Sequence, residues 1–154
     1  MKREIIVDSC VALLVLLFSY TAISKSLDYH RFVFQMKQAP VPLVKMIAPF
    51  LGWILSLAEG LVVLALLLIR YRLKGLYAAL ILLLVFEIYI TGMLLSGLDL
   101  PCTCGGIISK LSWKQHLIFN ALLIIITIIP LVILERQKMD VSSGNLRSKN
   151  ISRA

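Results

Sequence analysis

The sequence predicts an all-α integral membrane protein, a four-helix bundle with both termini on the cytoplasmic side. Three observations carry this. Of 154 residues, 60% are apolar and only 16% charged, and the mean hydropathy is +0.93. A soluble domain is about 45–50% apolar and about 25% charged, and one of this length has too small an interior to hide the excess. The same hydrophobicity excludes a disordered chain. Second, four stretches have the roughly 20 mostly apolar residues that cross a bilayer. Third, their Leu, Ile and Val runs do not alternate as barrel strands would. That leaves helices, which satisfy their own backbone in lipid.

The first span, residues 5–23, follows Lys2 and Arg3. Its flanks, with Ala22 and Ser24, also fit a cleaved signal peptide. The length of the apolar stretch and Asp8 within it favour a retained span. The second, third and fourth spans are residues 46–69, 75–98 and 117–134. Residues 1–136 thus form one membrane domain, followed by a basic flexible tail, 137–154. The longest connection, 24–45, carries Tyr29, Phe32, Val33, Phe34 and Met36 among charges and ends near Pro40 and Pro42. It reads equally as a short amphipathic helix at the interface or as a plain loop. Cys10 reads as a small packing residue of span one.

Orientation follows from the basic residues. The N-terminus, the 2–3 turn and the tail hold ten Lys and Arg; the 1–2 and 3–4 loops hold six, Lys25 among them. The Arg70-Tyr71-Arg72-Leu73-Lys74 turn weighs most. Both termini are therefore expected inside and the 1–2 and 3–4 loops outside. The net charge of +8 then reflects topology and attraction to anionic membrane lipid, with no nucleic acid as partner.

Glu59 and Glu87 interrupt spans two and three near their centres. A charge there costs roughly 2.5–3.5 kcal/mol on insertion scales, so both should face the bundle interior. Gly52, Ser56 and Gly60 form a small-residue stripe beside Glu59 that permits close helix approach. Asp8, Ala12, Val15, Ser19 and Ala22 line a face of span one. Glu87 shares a face with Thr91, as Asn120 does with Thr127. The four faces could converge on a hydrogen-bonded interior. That interior reads either as a proton-handling or quinone-binding pocket around Glu59 and Glu87, or as interhelical hydrogen bonding that holds the bundle.

Cys102 and Cys104 sit in Pro101-Cys102-Thr103-Cys104-Gly105-Gly106, just after span three. The topology places them on the outer, oxidising face, where disulfides persist. A disulfide across one intervening residue closes almost no loop and adds little stability. Departures from ideal disulfide geometry also make the bond easier to reduce. Electron exchange with other thiols is its expected use. Lys110, Lys114 and His116 follow and could favour the reactive thiolate. Alternatives remain: a structural disulfide, idle thiols, or a metal site. A metal site would need His116 and His30 beside the two thiolates to make four ligands. Trp113 and Lys114 read first as interface anchors of span four. No motif for flavin, nucleotide or haem is present, and no cofactor is evident.

Ala22-Ile23-Ser24-Lys25-Ser26-Leu27 with Phe32, and Glu59-Gly60 before a Leu-rich run, resemble the DoxX-like superfamily. Cys102-Thr103-Cys104-Gly105-Gly106, with Leu111-Ser112-Trp113 before span four, resembles its MauE branch of redox-associated membrane proteins. The resemblance covers residues 5–134. It implies a four-helix protein of the bacterial inner membrane with Cys102 and Cys104 as a periplasmic redox pair. Its function would be thiol–disulfide chemistry supporting maturation of an exported, disulfide-containing protein, with a thioredoxin-like periplasmic partner. The family's role is maturation of the methylamine dehydrogenase light chain. Glu59 also maps onto the pattern. Thr103 and Gly105 depart from the family's usual Cys-Gly-Cys-Phe-Gly. The DoxX side implies an alternative, a membrane subunit passing electrons from thiols or sulfur compounds to quinone. In either case the chain would be a component of an oxidoreductase. A third reading is a non-redox assembly or transport module.

Overall fold

The computed structural model describes residues 2–38, 42–95 and 113–151. Five helices follow in order: α1 (Lys2–Leu27), α2 (Tyr29–Met36), α3 (Pro42–Leu67), α4 (Arg72–Leu95) and α5 (Trp113–Ile151). A single tight helical turn, Ile69–Tyr71, joins α3 to α4. α3 opens on Pro42, a residue suited to the first helical position because its missing N–H would lack a partner there anyway. Pro49 and Pro130 lie inside α3 and α5. Membrane helices tolerate such breaks because neighbours re-satisfy the freed carbonyls.

α1, α3, α4 and α5 are each long and apolar enough to cross a membrane. Only 22–28% of each span's most apolar window is buried within the bundle. The rest includes exposed Leu16, Ile23, Phe50, Trp53, Leu57, Ile88 and Ile125. Such a surface would aggregate in water. In a bilayer it is the lipid contact, and the chain is a multi-pass membrane protein.

The four long helices form a ring, α1 against α3, α3 against α4, α4 against α5 and α5 against α1. Side-chain bonds fix the directions. Asp8, early in α1, accepts from Arg72 at the start of α4 at 2.7 Å. The Tyr77 hydroxyl, early in α4, donates to Glu135, past the middle of α5. Lys25, at the end of α1, meets Glu59, and Asn120, early in α5, meets Glu87, late in α4. Neighbouring helices therefore run antiparallel. The core is apolar: Val7, Val11, Leu14 and Phe18 of α1 pack with Val62 and Leu66, with Leu76, Ala79 and Leu83, and with Leu123 and Leu131.

The buried face of α1 is not the one expected. Val7, Val11, Leu14, Phe18, Thr21 and Lys25 point inward, one residue off the Asp8–Ala22 series and so rotated by about 100°. Large apolar side chains fill the space between helices better than a small polar stripe. Asp8 stays exposed and pairs at the rim. The stripe on α3 also divides. At Gly52 an added Cβ would lie 2.8 Å from the Tyr29 ring, whereas nothing lies within 4 Å at Gly60. Gly52 thus admits α2, not another spanning helix.

The 1–2 connection contains a helix, as one of its two readings held. α2 packs on α3, with Phe32 and Val33 buried and the Tyr29 hydroxyl donating to the Pro49 carbonyl at 2.9 Å. α5 continues past the expected end of span four to Ile151, where a flexible tail was expected. Residues 135–139 are Glu, Arg, Gln, Lys and Met, all good helix formers, and extending an existing helix needs no new nucleus.

Candidate functional site: a buried ionic centre

Lys25 was expected in an outer loop. Because α1 runs to Leu27, it lies in the last turn, and only 4% of its side chain is exposed. Its Nζ stands 2.5 Å from Glu59 Oε1, and Glu59 is 1% exposed. A buried charge persists only when paired, so each residue explains the other. Lys25 Nζ also lies 5.4 Å from the centre of the Phe86 ring. This cation–π contact comes from α4 and adds attraction in a desolvated site.

α5 completes the site. His116, in its first turns, is 5% exposed. Asn120, one turn on, donates through Nδ2 to the Leu83 carbonyl at 2.9 Å and to Glu87 Oε2 at 2.8 Å. That bond ties α5 to α4 at both a backbone and a side-chain acceptor. The expected pairing of Asn120 with Thr127 on one inward face is present, both being buried. Thr127 bonds back to the Leu123 carbonyl at 2.7 Å and does not join the centre.

Lys25, Glu59, His116, Asn120 and Thr21 surround a cavity of about 30 Å³. Glu59 Oε2 and His116 Nδ1 are buried there without a hydrogen-bond partner. A space of this size suits about one water molecule, which could satisfy both atoms. Pockets that hold drug-sized ligands run to roughly 300–1,000 Å³, so this cavity is far smaller than one that encloses a quinone ring. Glu59 and Glu87 do not share a pocket. Glu87 is bound to Asn120, and Glu59 is bound to Lys25.

Sequence reasoning singled out Glu59, Glu87 and His116 but counted Lys25 as a loop charge and passed over Thr21. The signal was present in the helical spacing. Residues 7, 11, 14, 18, 21 and 25 continue one face of α1 through Thr21 to Lys25. Of the other candidates, Cys10 is a free, partly buried thiol, and His30 is exposed on α2 beside the Tyr29 ring. Cys102 and Cys104 lie outside the described residues, as does Lys110. In the chain they fall between Leu95, which ends α4, and Trp113, which opens α5.

That end of the bundle also holds the end of α1 with Lys25 and the first turns of α5 with His116. Leu95 of α4 and Trp113 of α5 lie at this same end. No curated protein and no solved structure matches the chain. The family profile described as methylamine utilisation protein MauE matches residues 3–133, from the start of α1 through α4 and most of the apolar part of α5. The chain belongs to the MauE family.

Proposed function

We propose that the protein is a thiol–disulfide factor of the bacterial inner membrane, with Cys102 and Cys104 as its redox pair on the periplasmic side. It exchanges electrons with a thioredoxin-like partner and supports maturation of an exported, disulfide-containing protein. The methylamine dehydrogenase light chain is the client that the family role suggests. The observation that carries the reading is the place of Cys102-Thr103-Cys104 in the chain. It lies inside the span of the family match, in the stretch of chain between α4 and α5.

The basic residues support the topology. Lys25 and Arg72 are each bound to a carboxylate, and setting both aside leaves nine on the inner side against five on the outer. The positive-inside bias points to an outward-facing cysteine segment.

Exchange needs no cofactor. The thiolate of one cysteine attacks a partner disulfide, forming a mixed disulfide and releasing one partner thiolate, which takes up a proton. The second cysteine of the pair loses its proton and displaces the partner. The Cys102–Cys104 bond closes and the partner leaves as a dithiol. The reverse sequence oxidises the partner. The test is acid-quenched trapping of mixed disulfides in cells. Replacing one of the pair by serine removes the resolving thiol, so a partner adduct is expected to accumulate. Replacing both is expected to abolish every adduct and to halt client maturation. Full maturation in the Cys102→Ser/Cys104→Ser double variant would refute the proposal.

A further inference from the structure

A larger cavity lies away from the ionic centre. It is an open groove of about 640 Å³ on the outer surface between α3 and α4. Ala58 and Ala65 of α3 and Ala78 of α4 keep its floor low, and its walls are aliphatic as far as Val85. Polar character enters at one end only, where Tyr71 and Lys74 close it. There the Lys74 ammonium stands 5.7 Å from the centre of the Tyr71 ring, and both side chains are exposed.

From the basic turn, the groove extends along α4 from residue 74 to residue 85. At 1.5 Å per residue that is about 16 Å, close to half of a hydrocarbon core about 30 Å thick. The groove thus runs from a membrane surface to the midplane and matches one leaflet. Its charged end belongs to a turn with three cations in five residues, Arg70, Arg72 and Lys74. Arg72 is bound to Asp8; Arg70 is exposed, as Lys74 is.

We propose that this groove is a binding site for one anionic phospholipid, with an acyl chain along α3 and α4 and the phosphate at Lys74. Charge selects this occupant. A zwitterionic lipid would fill the groove equally but gain less from the cationic end, and an isoprenoid quinone brings no anion to meet it. The polar end of the site lies at the 69–71 turn, at the opposite end of α4 from Leu95, and the site does not depend on the redox reading.

Native mass spectrometry of the detergent-solubilised full chain, offered equal amounts of phosphatidylglycerol and phosphatidylethanolamine, tests this. A single phosphatidylglycerol adduct is expected to dominate. Lys74→Gln, at an exposed position, is expected to lower its retention about fivefold, the loss of one cation near the phosphate. Ala78→Phe fills the groove and is expected to remove adducts of both lipids. Equal retention of the two lipids overturns the proposal. So does phosphatidylglycerol binding unchanged by Lys74→Gln, or displacement of that lipid by an equal amount of added ubiquinone.

Discussion

Replacing Lys25 with methionine, or Glu59 with leucine, is expected to destabilise the bundle by about 3–5 kcal/mol, the usual consequence of stranding one member of a buried ion pair. The pair joins α1 to α3, with both side chains at most 4% exposed. Among the described residues, no other Lys, Arg, Asp or Glu lines the cavity. The other polar side chains around the cavity are Thr21, His116 and Asn120, and the Asn120 amide is committed to Leu83 and Glu87. The Lys25→Met/Glu59→Leu double variant removes both charges together. It is expected to recover most of the loss, because desolvating an ion pair consumes much of what the pairing returns. Unfolding equilibria in mixed micelles, arranged as a double-mutant cycle, measure the coupling. Strictly additive single losses would show that the two charges are not paired.

Gly75→Ala is expected to cost about 1–3 kcal/mol, the range for forcing added volume into a packed contact. A Cβ there would sit 2.9 Å from the Leu66 backbone nitrogen and 3.0 Å from the Ala65 carbonyl carbon. These are backbone atoms and cannot rotate away, so α3 and α4 would have to separate just above the turn that joins them. Gly60→Ala supplies the control. Nothing lies within 4 Å of its Cβ position, and alanine favours the helix over glycine, so no loss is expected. The same unfolding assay distinguishes the two. Equal effects at both positions would mean that α3 and α4 are not in close contact at Gly75.

The spans were legible because lipid imposes a coarse rule, a run of about 20 apolar residues, and α1, α3, α4 and α5 obey it. The details that failed lie below that rule. Lys25 was read as a loop charge because a lysine at a span end is ordinarily an interface anchor. Only its partner, 34 residues away, turns it inward. The inward face of α1 was misplaced because polarity was taken as the sign of an interior, whereas Leu14 and Phe18 fill that interior. The Gly52-Ser56-Gly60 stripe was visible as a pattern, but spacing alone could not show that α2 would cover Gly52 and leave Gly60 open. Gly75 carried no pattern, and its importance comes from the tight turn at 69–71. At the site, a carboxylate at midspan was enough to single out Glu59. The cavity with His116 depends on how four helices meet, which no single helix reports.

The most direct measurement is labelling of intact spheroplasts with a membrane-impermeant maleimide, before and after mild reductant, in a Cys10→Ser background. That substitution leaves Cys102 and Cys104 as the two remaining cysteines. The expected result is protection before reduction and two labelled thiols after it, which marks an outward-facing, reducible disulfide. Labelling of both thiols without reductant would contradict a resting disulfide, and failure to label at all from outside would contradict the periplasmic placement.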